Sequence, residues 1–234
     1  MEKKIFTIQD IRDEGGGIKL FTLSPDDGTN IRFKPGQFAM VCKIENGGFG
    51  KLSRPYSIAS SPLHAALRFA IKITGGQFTS VLEKMKAGEK LGVTGPLGHF
   101  QYEKEENVVC LAAGTGVASM TGILEYVAHS RQKGKFTLFY SNKKKGAIAC
   151  REILDHIHAE NPHIKVVYTL TQEQPEGWKG ELGRINAEMV RKHADGAKDA
   201  TFFVCGPLEF AKAMKEMALG LGADPKKVKI EAWG

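Results

Sequence analysis

Through the first hundred residues the chain alternates. Runs such as "KKIFTI", "IKLFTL", "QFAMVCKI", "LRFAIKI" and "KLGVTG" send apolar and polar side chains to opposite sides of an extended backbone, and clusters of Gly, Pro, Asp or Asn separate them. Several short strands at this spacing predict an antiparallel barrel or sandwich. One stretch breaks the rhythm: in "QFTSVLEKM", Phe78, Val81, Leu82 and Met85 recur at helical spacing. From about residue 107 strands and helices take turns. "NVVCLAA", "KFTLFYS", "IKVVYTL" and "TFFVCG" read as strands, and "VASMTGILEYVAHS", "AIACREILDHIHAE", "INAEMVRKHA" and "LEFAKAMKEMALG" as helices, before a last strand "KVKIEAWG". That order predicts a parallel sheet wrapped by helices. The chain therefore divides into an antiparallel β domain over residues 1–102 and an α/β domain over 103–234, with "YEKEE" (102–106) as the link.

Composition narrows the class. With 234 residues, 42% of them hydrophobic, the chain buries a full core, which excludes a disordered protein. The net charge of +7 is concentrated in front: residues 1–102 carry 14 basic and 9 acidic side chains, and the remainder 19 and 17. Such a bias suits an anionic cofactor or an acidic partner, and no nucleic-acid-reading motif accompanies it. Cys42, Cys110, Cys150 and Cys205 form no CxxC pair, so their spacing gives neither a zinc site nor an iron–sulfur cluster. They read as reduced thiols of a cytoplasmic protein. The start "MEKKIFTI" has no apolar leader core, and no apolar run approaches the ~20 residues of a membrane span. His156 and His158, two apart on a helix, point in different directions, which argues against a metal site there.

Three stretches carry candidate chemistry. In "RPYSIASSP" (54–62) strand alternation places Arg54 and Tyr56 on one face and Pro55 and Ser57 on the other, and a cation beside an aromatic suits a large, flat anion. A core tyrosine beside a surface arginine would give the same letters. In "AAGTGVASM" a strand runs into a helix through Gly114, Thr115 and Gly116, where backbone amides can meet a pyrophosphate. Ser119 stands where a full GxGxxG has its last glycine, and a GxG turn serves packing as readily as it serves a nucleotide. In "GGQFTSVLEKM", Gly75 and Gly76 precede a helix whose first turn offers free amides, with the Thr79 hydroxyl beside them; a plain strand-to-helix corner has the same form.

Taken in order, Arg54-Pro55-Tyr56-Ser57, Gly75-Gly76-x-x-Thr79, "GPLG", "GTGVASM", "FFVCGP" and the terminal Glu-x-aromatic resemble the ferredoxin–NADP+ reductase family along the whole chain. The resemblance implies a Greek-key antiparallel β-barrel that binds FAD, followed by a doubly wound parallel-sheet domain that binds NAD(P)H. It implies that Arg54 pairs with the FAD pyrophosphate and Tyr56 packs on the flavin. Ser57 would hydrogen-bond near flavin N5, and Gly75, Gly76 and Thr79 would complete the FAD site. Cys205, with Gly206 and Pro207, would lie beside the nicotinamide. Glu231 would be the terminal carboxylate and Trp233 the terminal aromatic that covers the flavin, although Trp replaces the plant-type tyrosine and Gly234 follows it. Ser57, Cys205 and Glu231 are thus the expected hydride-transfer residues. Gly114, Thr115 and Gly116 would hold the nucleotide together with Ser141, Asn142 and Lys143, and the lysine run 143–145 with no carboxylate at its strand end inclines the choice slightly to NADPH over NADH. The implied activity is hydride transfer from NAD(P)H to FAD and onward transfer to a separate acidic acceptor such as ferredoxin or flavodoxin. A flavin reductase, or an FAD-bearing subunit of a larger complex, are the alternatives.

Overall fold

The computed structural model describes residues 1–233; Gly234 lies outside the described residues. The first half forms six strands: β1 (Glu2–Asp13), β2 (Ile18–Pro25), β3 (Phe38–Glu45), β4 (Gly48–Ser57), β5 (Leu67–Lys72) and β6 (Lys90–Leu97). They make one curled antiparallel sheet in the order β4-β3-β6-β1-β2-β5. Its two end strands approach each other without a ladder between them. The concave side buries Phe6, Phe21, Ile58, Phe69 and Val93, and α1 (Gln77–Lys84) closes it with Phe78 and Leu82.

The second half is a parallel sheet of β7 (Asn107–Ala113), β8 (Lys135–Asn142), β9 (Ile164–Leu170), β10 (Glu181–Leu182), β11 (Thr201–Pro207) and β12 (Val228–Trp233). Helices α2 (Val117–His129), α3 (Arg151–Glu160), α4 (Ala187–His193) and α5 (Leu208–Gly220) cover its faces. The strand order is β10-β9-β8-β7-β11-β12. Successive strands run outward from β7 in one direction, and then the chain returns to add β11 on the other side of β7. That reversal is the doubly wound arrangement, and it opens a crevice between the carboxyl ends of β7 and β11.

One expectation needs correction, and one element escaped the sequence. The helix read over "AIACREILDHIHAE" starts only at Arg151, because Cys150 takes a left-handed conformation (φ 57°) and donates its N–H to Glu14 Oε2 at 2.8 Å. The two-residue β10 was not legible; Glu181 and Leu182 are too short a run to alternate. The halves share apolar packing: Ile18, Leu20, Ala59 and Ala70 of the first join Val117, Ala118, Met120 and Ile123 of the second in one buried cluster. The site between them is consequently held from both sides.

Candidate functional site

A cleft of about 640 Å³ opens between the curled sheet, the start of α1, the β7–α2 turn and the end of β12. Its size falls within the range of cofactor pockets. Arg54, Pro55, Tyr56 and Ser57 all line it. Alternation alone would have divided them between two faces, but β4 is an edge strand and the cleft wraps around its end. The Arg54 side chain is at the surface, donating to Ser53 O at 2.8 Å, and stays free to turn toward an anion. The Tyr56 ring stacks on Phe78 with centroids 6.2 Å apart and planes 25° apart, and burial pushes its hydroxyl up to about 12.

Opposite, Gly76 leads into α1, and no side chain caps the helix's first turn. Its leading amides are therefore available to an anion, and the helix dipole favours one. Gly76 and Thr79 line the cleft, whereas Gly75 stands just outside the lining. The Thr79 hydroxyl is already engaged: it donates to Gly76 O at 3.1 Å and accepts from Thr74 N at 3.3 Å. Thr79 thus shapes the loop that presents the amides. Sequence reasoning missed Phe38, Ala70, Lys72, Thr74 and Phe78, which also line the cleft. A signal was there, since Ala70, Lys72 and Thr74 follow one another at the two-residue spacing of a single strand face.

At the inner end three side chains from three distant segments converge. Ser57 Oγ donates to Glu231 Oε2 at 3.1 Å, and Cys205 Sγ lies 3.9 Å from the same oxygen. The ladder sets this up, because Cys205 stands opposite Glu231, and Pro207 opposite Trp233, where β11 pairs with β12. Burial raises the Glu231 carboxyl above the usual carboxylate range, an effect that the hydrogen bonds from Ser57 and Cys205 partly offset. The buried Cys205 thiol is pushed up to about 12, chiefly by desolvation, and so remains a neutral thiol. The cluster can hold a proton and donate hydrogen bonds; it has no activated nucleophile. Trp233, 41% exposed, lines the mouth of the cleft.

The nucleotide candidates gather around the crevice between β7 and β11. Gly114 has φ 54° with open space where a side chain would be, while a side chain on Gly116 would meet Cys205 O at 2.1 Å. Gly114 thus leaves room for a ligand, and Gly116 lets the turn press against β11. Thr115 reaches the cleft. Gly206 packs against Phe210, and Pro207 ends β11. Ser141 pairs with Ala113 across the sheet, but Ser141, Asn142 and Lys143 lie outside the cleft. Asn142 Nδ2 is buried without a hydrogen-bond partner, and Lys143, Lys144 and Lys145 are exposed. Among the described residues no group of three or more His, Cys, Asp or Glu side chains is arranged to hold a metal ion.

The donor set fits an FAD and a nicotinamide nucleotide. Uncapped helix amides and a free guanidinium suit a pyrophosphate, a half-buried tyrosine suits a ring system, and an orphaned buried amide with an open glycine turn suits a second ligand at the sheet edge. Residues 6–102 match the oxidoreductase FAD-binding domain and residues 110–216 the oxidoreductase NAD-binding domain. NADH-cytochrome b5 reductase 2 of Mycosarcoma maydis is 33% identical over 190 residues, covering 74% of this chain and 54% of that protein. The chain spans about half the length of this and similar b5 reductases. The sulfhydrogenase 2 subunit gamma of Pyrococcus furiosus is 29% identical over 227 residues, covering 90% of this chain and 76% of that subunit. The crystal structure of a ferredoxin NADP+ reductase from Neisseria gonorrhoeae with bound FAD and NADP has the same fold, with a TM-score of 0.78, 20% identity and coverage of 95% of this chain and 92% of that one.

Proposed function

The chain belongs to the ferredoxin reductase family of FAD-binding and NAD-binding oxidoreductases, and on that premise we propose that it transfers hydride from NAD(P)H to FAD held in the cleft and delivers the electrons to a separate acceptor. The observation that carries this reading is the convergence of Ser57, Cys205 and Glu231 at the inner end of a cleft bounded by Arg54, Tyr56 and the uncapped start of α1. Bound there, flavin supplies the two-electron acceptance and one-electron release that no protein side chain provides. Arg54 and the α1 amides hold the pyrophosphate, Tyr56 packs against the ring system, and Ser57 orients its hydrogen bond toward it. Cys205 and Glu231 line the place where the nicotinamide must come, acting by orientation and hydrogen bonding. Trp233 restricts access until the nicotinamide enters.

For the nucleotide, the exposed run Lys143–Lys145 favours a 2'-phosphate, giving a slight preference for NADPH. Glu173 moderates it: its carboxylate accepts the Lys145 backbone N–H, which brings negative charge to the same loop. NADH therefore serves as well. For the acceptor, the basic first half suits an acidic one-electron carrier, ferredoxin or flavodoxin. The relatives widen that class to cytochrome b5. A second reading, an FAD-bearing relay subunit of a larger complex, is favoured by the likeness to a sulfhydrogenase subunit over most of its length. Four buried, unpaired cysteines support a cytoplasmic setting.

The test is spectral. The purified chain is expected to be yellow and to bleach anaerobically on addition of NADPH or NADH, and to recover its colour when a ferredoxin, a flavodoxin or cytochrome b5 is added. A colourless protein that reduces free flavin would make it a flavin reductase. Failure of the isolated yellow chain to bleach would favour the relay subunit.

A further inference from the structure

Strand β12 carries two of the site's residues and stands at the margin of its sheet. It is the end strand of its sheet, pairs with β11 alone, and none of its six residues is fully buried. Because strand side chains alternate, Lys229, Glu231 and Trp233 share one face. The other face presents Ile230, 38% exposed. Helix α5 packs against the strand, and Val228, on the same face as Ile230, joins the apolar cluster of α5, so the polar ties that fix the strand lie on the Lys229 face.

Lys229 is engaged on three sides. Its ammonium donates to Gln101 O at 2.8 Å and to Glu105 Oε1 at 2.6 Å, and it lies 4.9 Å from the centre of the Phe203 ring. Gln101 and Glu105 belong to the segment that joins the two halves, and Phe203 belongs to β11. The second oxygen of Glu105 accepts the Glu103 N–H at 2.7 Å, which folds the linker around the carboxylate. Phe203 in turn meets Phe100 edge to face at 5.3 Å. One cation thus ties the terminal strand to the linker and to its neighbouring strand. Two residues further along, a distance of about 6.6 Å on an extended chain, Glu231 takes the Ser57 hydroxyl.

We propose that Lys229 is a positioning residue that fixes the terminal strand to the interdomain linker, so that Glu231 stays against Ser57 and Cys205 and Trp233 stays at the mouth of the cleft. Its consequence for hydride transfer rests on the function proposed above, whereas its hold on the strand is a property of the ligand-free chain. A charge-neutral replacement leaves the β11–β12 ladder in place and removes the only three-way tie on that face among the described residues. The end of the strand then opens more often, as weakly held edges do. An error of an ångström at a reacting centre costs up to about 100-fold in rate.

The test compares Lys229→Met, which keeps the aliphatic stem, with Lys229→Arg, which keeps the charge, both in a Trp178→Phe background so that Trp233 is the sole tryptophan. Hydrogen exchange on the ligand-free chain is expected to speed up about tenfold or more at residues 229–233 in Lys229→Met, with the protection of β7 and β8 unchanged. Trp233 emission should shift to the red, and Lys229→Arg should restore both signals. In stopped flow, flavin reduction by NAD(P)H should slow about tenfold at saturating nucleotide with little change in KM. Unaltered exchange and emission in Lys229→Met would overturn the proposal, as would protection lost equally throughout the chain. A freed strand with an unaltered reduction rate would overturn its catalytic part. A wild-type chain whose flavin does not reduce at all would instead count against the proposed function, since the exchange and emission readouts need no flavin.

Discussion

The interdomain ion pair between Glu125 and Arg68 sets the size of one measurable effect. Glu125 lies on α2, and its side chain is 5% exposed; Arg68 lies on β5, and its side chain is 15% exposed. One carboxylate oxygen takes the guanidinium, and the other takes the Ser61 N–H at 3.0 Å with His64 Nδ1 3.5 Å away. Burial lowers the His64 pKa despite the attraction of Glu125, so near neutral pH the imidazole adds no second cation. Glu125→Leu leaves a mostly buried guanidinium and an unpaired Ser61 N–H. Breaking a buried pair from one side costs about 3–5 kcal/mol. Arg68 keeps some solvent and a hydrogen bond to His64 Nδ1 at 3.3 Å, which places the cost at the lower end, about 3 kcal/mol. For a chain of this length that is a fall in Tm of about 6–12 °C. Removing both charges in Glu125→Leu/Arg68→Met should recover more than half of it, because the orphaned charge is the larger part of the loss. Calorimetry of the ligand-free chain reads both. A single variant melting within roughly 2 °C of wild type, or a double variant no better than the single, would refute the reasoning.

Three further outcomes follow from the site. Arg54→Ala removes a surface guanidinium bonded only to Ser53 O, so it should leave Tm nearly unchanged while weakening FAD by about 1.5–3 kcal/mol, or roughly 10- to 150-fold, in a cofactor titration; full FAD retention would remove Arg54 from the site. The raised carboxyl of Glu231 contributes stability that is present below its unfolded value of about 4.3 and is lost as pH rises through its higher folded value, so Glu231→Gln should melt higher than wild type at about pH 8 and converge with it near pH 4. The reverse trend in thermal melts would show that Glu231 is held as a stabilised carboxylate. Lys143→Ala/Lys144→Ala should raise KM for NADPH several-fold and leave NADH nearly untouched, and Glu173→Gln should favour NADPH; equal effects on both nucleotides would take the loop out of the specificity argument.

Much of the fold was legible because its two halves obey different periodicities. The alternating runs before residue 100 became the strands of the curled sheet, and the alternation of strand and helix after 107 became the parallel sheet. Where the sequence misled, a distant partner decided. Cys150 leaves the helical pattern because Glu14, 136 positions earlier, takes its N–H. Arg54 to Ser57 line one cleft because β4 is an edge strand, a property of the sheet order and not of the letters. Glu125 did carry a signal, as the only charge in the apolar stretch "VASMTGILEYVA", and a buried charge demands a partner. Arg68 could not be picked out as that partner, because 57 residues and a domain boundary separate the two.

The same long-range logic explains why the site lies where it does. The order β8-β7-β11-β12 puts the ends of four strands side by side at the reversal next to β7, and each strand end contributes what its position allows. β7 ends in the open glycine turn, β11 in Cys205 and Pro207, and β12 in Glu231 and Trp233. The curled sheet is then docked against this edge through α2, whose Gly122 would place a side chain 2.7 Å from Ile58 O. The absent side chain lets α2 press directly on the backbone that follows Ser57, while Glu125, one turn further along, holds Ser61 of the same segment. The helix that starts at the β7 glycine turn therefore also fixes the strand end that bears Arg54, Tyr56 and Ser57. A change in the angle between the two halves would move the two candidate ligand sites relative to each other, and Gly122 and Glu125, neither lining the cleft, are two positions at which α2 meets the first half directly.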